Sequence, residues 1–177
     1  GLPGTGKSTV AAALGEQAGW EVLRSDVVRK ELAGLDPQAS GAAAFGTGIY
    51  TREATDATYR ALLERARPLL ERGRTVVLDA SWTDAEHRRW AEALAAATTS
   101  DLIELRCVAP AEVAAGRIRA RAAAGRDPSD ADEAVAAAMA ASADPWPSAI
   151  ELDTTPPVEE VAAAARAAVL AVPAPLD

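Results

Sequence analysis

The first nine residues, Gly1 to Thr9, read GLPGTGKST. Gly1, Gly6, Lys7 and Ser8 satisfy the spacing G-x-x-x-x-G-K-[ST], and helix-like periodicity follows at once. That spacing serves phosphate binding. Gly1, Gly4 and Gly6 let the backbone curl so that its N–H groups point at phosphate oxygens. The N-terminus of the following helix adds positive potential. Lys7 can bridge the β- and γ-phosphates, and the Ser8 hydroxyl can ligate Mg²⁺. Thr5 and Thr9 lie within the same stretch, so the expected nucleotide contacts are Gly1, Gly4, Thr5, Gly6, Lys7, Ser8 and Thr9. Among 18 lysines and arginines only Lys7 and Lys30 are lysine, so the chain keeps a compact ammonium in this loop while using arginine nearly everywhere else. There is no asparagine, so the N-K-x-D motif that reads guanine is absent. ATP is the expected nucleotide.

Three further groups could take part in chemistry. In VVLDASW (76–82), Asp79 ends a buried strand pattern. Ligands of open parallel sheets sit outside the carboxyl ends of strands, so Asp79 either holds Mg²⁺ through its water shell or caps the next turn. In LRSDVVRKEL (23–32), Asp26 opens a helix and Arg29 follows three residues on, sharing one face. Asp26 on its own reads equally as a helix-opening acid favoured by the dipole. RIRARAAAGR supplies Arg117, Arg119, Arg121 and Arg126, either a phosphate-facing lid or a solvated basic face. His87 reads as a surface helix residue with no role.

The elements that must position these groups follow from apolar spacing. Helices are expected over 6–18, 26–34, 51–72, 83–97, 110–124, 130–141 and 157–171, and strands over 21–25, 75–80, 101–109 and 149–153. Thr51 is placed to cap the third helix, Pro68 to kink it, and Ser129 with Asp132 to form a capping box. Residues 35–50 read as a long loop. Alternating strands and helices imply βαβ units in one layered α/β domain with a parallel sheet. Aromatic residues make up only 4% of the 177, so a thin, alanine-rich core is expected.

Composition limits the partners. A formal net charge of −8 disfavours nucleic acid, whose binding draws on Lys and Arg. No apolar run reaches the roughly 20 residues of a membrane span. No signal peptide is visible, and a cytoplasmic location is expected. Cys107, the sole cysteine, sits in an apolar run and reads as an inert buried thiol.

Taken together, the phosphate loop, Asp26 with Arg29, and VVLDAS resemble the small-molecule kinase branch of P-loop proteins, which includes gluconate kinase, adenylylsulfate kinase, the zeta-toxin kinases and polynucleotide 5′-kinase. The wording of LRSDVVRKEL, VVLDASW and DPSDA is similar to the AAA-family ATP-binding domain that some bacteria fuse behind an aminoglycoside-phosphotransferase-like domain. The resemblance implies a three-layer fold with strand order 2-3-1-4-5, a general-base role for Asp26 on an acceptor hydroxyl, acceptor binding by Arg29, and lid arginines among Arg117, Arg121 and Arg126. Lys7 and Asp26 stand 19 positions apart, close to the family's spacing.

Two functions compete. One is an ATP-dependent phosphotransferase acting on a small hydroxylated acceptor; the few charges in 35–50 suit a neutral one such as a sugar, cyclitol or antibiotic. The other is an ATP-binding or ATPase module that regulates a fused domain. A polynucleotide kinase fits the acidic balance less well. The implied order also requires a strand before Gly1. Residues 1–177 are therefore expected to be a single kinase-like domain, the C-terminal part of a longer chain, with a gap in the sheet beside 75–80.

Overall fold

The computed structural model describes residues 1–36, 48–124 and 131–171. Helix α1 (Lys7–Ala18) leads to β1 (Glu21–Arg24), α2 (Ser25–Leu32), a short 3₁₀ turn (Gly48–Tyr50), α3 (Arg52–Leu70), β2 (Val76–Asp79), α4 (Ala85–Ala97), β3 (Leu105–Val108), α5 (Ala111–Ala124), α6 (Glu133–Ser142), β4 (Ile150–Asp153) and α7 (Val158–Leu170). All four strands pair in parallel, β1 with β2 and β3 with β4. These are the neighbour relations of the expected order on either side of its central strand.

The pairs do not bond to each other. Between them lies a slot of about 680 Å³ walled by Val10, Leu14, Val77, Leu105 and Cys107. The gap expected beside 75–80 is this slot. Gly1 sits at its end, where its nitrogen donates to the Ser81 carbonyl at 2.9 Å. A Cβ on Gly1 would lie 2.6 Å from the Cys107 carbonyl oxygen, so only glycine fits there without a shift.

The core follows the same division. Val10, Leu14, Cys107, Leu152, Val161 and Ala165 pack α1 and α7 against β3 and β4. Val28, Tyr59, Leu62 and Ala80 join α2 and α3 to β2, and Leu63, Ala66, Ala91 and Leu94 join α3 to α4. Ala66, Ala162 and Ala165 are fully buried, which lets helices approach closely and gives the thin core that the composition implies. Burial pushes the Cys107 thiol pKa up, so it stays protonated and inert.

The Thr51 hydroxyl accepts from Ala54 N at 3.2 Å and caps α3 as expected. Pro68, expected to kink that helix, lies inside its last turn, and α3 runs on to Leu70. Other expectations shift. The strand expected over 101–109 is paired only at Leu105–Val108, because β4 offers partners only from Ile150 to Asp153. Asp132 is itself the cap of α6, its carboxylate accepting from Val135 N at 2.8 Å; Ser129 lies outside the described residues.

Tyr59 ties α3 to the chain after β2. Its hydroxyl pairs with Ser81 Oγ at 3.1 Å and accepts from Trp82 N at 3.1 Å, where Trp82 adopts φ 55°. Burial raises the phenol pKa above its ordinary value. The folded state therefore holds the proton more tightly. Its contribution is complete below the unfolded phenol pKa of about 10 and is lost as pH rises toward the folded value. Tyr59→Phe leaves Trp82 N without its acceptor and is expected to cost about 1–3 kcal/mol in urea unfolding at neutral pH. The same variant should weaken the alkaline loss of stability, and an unchanged loss would contradict this assignment.

Candidate active site

The phosphate loop closes on itself. Gly4 and Gly6 take φ 78° and 80°, the left-handed region. A Cβ on Gly4 would stand 2.4 Å from the Ala114 carbonyl oxygen, so α5 packs directly on the loop. Buried Thr5 donates to the Leu2 carbonyl from both Oγ1 (2.7 Å) and N (3.4 Å). Its own carbonyl accepts from Thr154 Oγ1 at 2.8 Å, which clamps the loop to the end of β4. Lys7 Nζ folds back toward the Leu2 carbonyl at 3.5 Å, a weak contact that leaves the ammonium available. Ser8 is half-buried and Thr9 exposed in the first turn of α1. That helix has neither a capping side chain nor an acid in its first turn. Its leading N–H groups and positive dipole end suit an anion.

Parallel register puts Arg24 and Asp79 side by side at the carboxyl ends of β1 and β2. Arg24 Nε lies 3.2 Å from Asp79 Oδ2, and the Asp79 side chain is 3% exposed. Asp79 Oδ1 is buried with no hydrogen-bond partner. A buried carboxylate oxygen left open in this way fits Mg²⁺, a hard cation that takes one or two protein oxygens and completes its shell with water and phosphate. Among the described residues no group of three or more His, Cys, Asp or Glu is arranged to hold a metal.

On the other side of Lys7 lies a cavity of about 360 Å³ lined by Lys7, Asp26, Arg29, Tyr59 and Asp79, among others. Asp26 stands in the first turn of α2, directly after the strand end that carries Arg24. Arg29 is 8% exposed. Its Nη1 donates to the Ile49 carbonyl at 3.0 Å and Thr55 Oγ1 at 3.1 Å, and its guanidinium lies over the Tyr50 ring at 4.8 Å. Arg29 thus holds the 48–50 turn against α3. Residues 37–47, most of the long loop expected over 35–50, lie outside the described residues.

His87 is not on the surface. It is 3% exposed, stacked on Tyr59 with ring centroids 4.0 Å apart, and its Nε2 lies 2.8 Å from Asp56 Oδ1. Position 87 shares its face of α4 with buried Ala91 and Leu94, and that spacing is the signal that places it inside. Asp56 lies one turn before Tyr59 on the inward face of α3. Both residues line the cavity. The local sequence around either gives no sign of their pairing, which joins positions 31 apart.

The arginines of α5 diverge. Arg117 donates to Thr154 Oγ1 at 3.0 Å and to the Thr154 carbonyl at 2.6 Å. Its Nη1 also lies 3.4 Å from where a Gly6 Cβ would be, so it stands at the phosphate loop. Arg121 donates to the Ala131 carbonyl, and Arg119 pairs with Glu133 at 2.8 Å on the surface. Arg126 lies outside the described residues.

A family profile described as AAA domain (AAA_33) matches residues 1–146. An uncharacterized protein of Mycobacterium tuberculosis is 40% identical over 159 residues, which cover 90% of this chain and 31% of that protein. The chain thus spans about a third of the length of the curated relatives it matches. Among solved structures, the Mycobacterium tuberculosis APS kinase CysC, in complex with AMPPNP and APS, superposes with a TM-score of 0.67 at 21% identity, covering 97% of this chain and 94% of that one. A gluconokinase from Sinorhizobium meliloti superposes with a TM-score of 0.64 at 18% identity, covering 96% and 88%. The fold is the α/β fold of these P-loop kinases. Among the described residues no helix is long and apolar enough to cross a membrane.

Proposed function

This chain belongs to the AAA_33 family of AAA domains, and we propose that it transfers the γ-phosphate of ATP to a hydroxyl of a small polar acceptor. The observation that carries this reading is the single cavity shared by Lys7, Asp26, Arg29 and Asp79. It sets a phosphate-binding ammonium, a free carboxylate and a buried guanidinium around one space. The nucleotide analogue in the similar APS kinase structure supports ATP as donor.

In this mechanism the loop N–H groups and Lys7 hold the phosphates. Ser8 and Asp79 would hold Mg²⁺, which neutralises phosphate charge. Asp26 takes the proton from the acceptor hydroxyl as its oxygen attacks, acting as general base. Arg29 positions the acceptor. Arg117, beside Gly6, would neutralise charge on the transferring group, and Arg121 would join it only by leaving the Ala131 carbonyl. Arg117→Ala and Arg121→Ala are each expected to lower kcat more than they weaken ATP binding; a loss confined to ATP affinity would make them ground-state contacts.

The slot between β2 and β3 supports a further apolar strand there, supplied by a longer chain. The partial coverage of the curated relatives supports a longer chain too. The test of function is ADP release against a library of hydroxylated metabolites and antibiotics. Acceptor-dependent turnover supports the phosphotransferase. Tight ATP binding indifferent to every acceptor supports a regulatory ATP-binding module instead.

A further inference from the structure

The two carboxylate oxygens of Asp79 differ in what holds them. Oδ2 faces the Arg24 guanidinium, whose Nε stands 3.2 Å away. Oδ1 is buried and has no hydrogen-bond partner. The asymmetry is built into the backbone. Parallel register sets Arg24 opposite Asp79. Arg24 is also the N-cap of α2, with extended φ −106° and ψ 124°. A residue fixed by a strand on one side and a helix start on the other keeps its place beside its partner. The Asp79 side chain is 3% exposed and that of Arg24 28%, so water screens the pair little on the carboxylate side.

A guanidinium this close to Asp79 has two effects on a divalent cation. It compensates the buried carboxylate, so Asp79 is tolerated in the site without a metal. It also repels a cation that approaches Oδ1. A metal therefore gains little from Asp79 alone. A bound triphosphate changes that balance. Asp79 and Lys7 line the same cavity, so phosphates held at Lys7 bring negative charge to the side of Asp79 that Arg24 does not serve.

We infer that Arg24 is a positioning residue that makes divalent-cation binding at Asp79 conditional on the nucleotide. The metal enters with ATP and not ahead of it. This rests on the reading of Asp79 and Ser8 as the Mg²⁺ site, and it is independent of any acceptor. In the nucleotide-free protein Arg24 does for Asp79 what a resident cation would otherwise do. Once nucleotide and metal are bound, the same guanidinium keeps Oδ2 engaged and leaves Oδ1 as the oxygen open to the metal or its water shell.

The probe is Mn²⁺, whose free concentration is read by electron paramagnetic resonance during titration into protein without nucleotide. Arg24→Gln keeps a hydrogen-bond donor and removes the charge. It is expected to bind Mn²⁺ about tenfold or more tightly than the wild type does. Asp79→Asn in the same background should abolish that gain. Arg24→Gln should also melt lower, because its buried carboxylate has lost the guanidinium, and Mn²⁺ should recover the loss. Arg24→Lys keeps the charge and should match the wild type in both readouts. Calorimetry with a non-hydrolysable ATP analogue should show Mg²⁺ tightening nucleotide binding by the wild type. Three results overturn the inference: wild-type protein that binds one equivalent of Mn²⁺ without nucleotide as tightly as Arg24→Gln does, Arg24→Lys that behaves as Arg24→Gln, or nucleotide binding indifferent to Mg²⁺. The wild-type and Arg24→Lys titrations decide the matter even where Arg24→Gln does not fold, since stoichiometric Mn²⁺ binding by either without nucleotide overturns it. No acceptor or turnover enters these measurements, so the phosphotransferase reading is decided separately by acceptor-dependent ADP release.

Discussion

Asp26→Asn is expected to lower acceptor phosphorylation by roughly 10²–10⁴-fold while leaving ATP affinity within about a few-fold. The substitution keeps the size and shape of the side chain and removes the charge that accepts a proton. Asp26 has no ion pair among the described residues to lose, so the structural cost should be small. It stands in the first turn of α2, an end of the helix where the dipole favours a carboxylate. In the proposed mechanism the phosphates are held elsewhere, by the loop, Lys7 and Mg²⁺, so nucleotide binding is not expected to fall. Comparing kcat for acceptor phosphorylation with the ATP Kd of the same preparation separates the two effects. A parallel loss of both, or retained turnover, would remove Asp26 from the role of base.

Lys7→Ala should do the reverse and damage nucleotide binding itself. A charge-assisted contact to phosphate is worth about 1.5–3 kcal/mol, so ATP affinity should fall by roughly 10–100-fold. Turnover should fall further, because the same ammonium faces the charge that develops on the γ-phosphate. The fold should survive, since among the described residues the Lys7 ammonium makes only the long contact to the Leu2 carbonyl at 3.5 Å. Equilibrium titration with a fluorescent ATP analogue reads the affinity, and a melting curve reads the fold. Unchanged affinity would mean that the loop binds its anion through backbone alone.

The places of these two residues are legible in the sequence because their signals are local; their roles stand as proposals. The glycine spacing that bends the loop is written in six consecutive positions, and Asp26 opens the helix that follows the short strand EVLR. Strand and helix positions were legible for the same reason: VVLD and LRCV are apolar runs between turn residues, and the Tyr59–Leu62–Ala66 stripe fixes the buried face of α3. Pairing across the sheet was not. That Arg24 meets Asp79 depends on the register of β1 against β2, and that His87 meets Asp56 depends on how α4 packs on α3. A single histidine in a polar stretch, with Glu86 before it and Arg88 after it, reads as solvent-facing until its helical face is matched with Ala91 and Leu94. The arginines of α5 mark the opposite limit. Their clustering reads as either a phosphate-facing lid or a solvated basic face and does not show their partners, Thr154 for Arg117 and the Ala131 carbonyl for Arg121. Side-chain partners 37 and 10 residues away are set by tertiary packing, which local spacing does not encode.

The most direct measurement follows the γ-phosphate. The protein is mixed in excess with ATP labelled at that phosphate, in Mg²⁺ and a protein-free small-molecule extract of bacterial cells, and the products are separated after a single turnover. Label should appear in an organic acceptor, and Asp26→Asn should abolish that product while still binding ATP. Label found only as inorganic phosphate, at the same rate with and without the extract, would contradict the kinase and leave an ATP-hydrolysing module in its place.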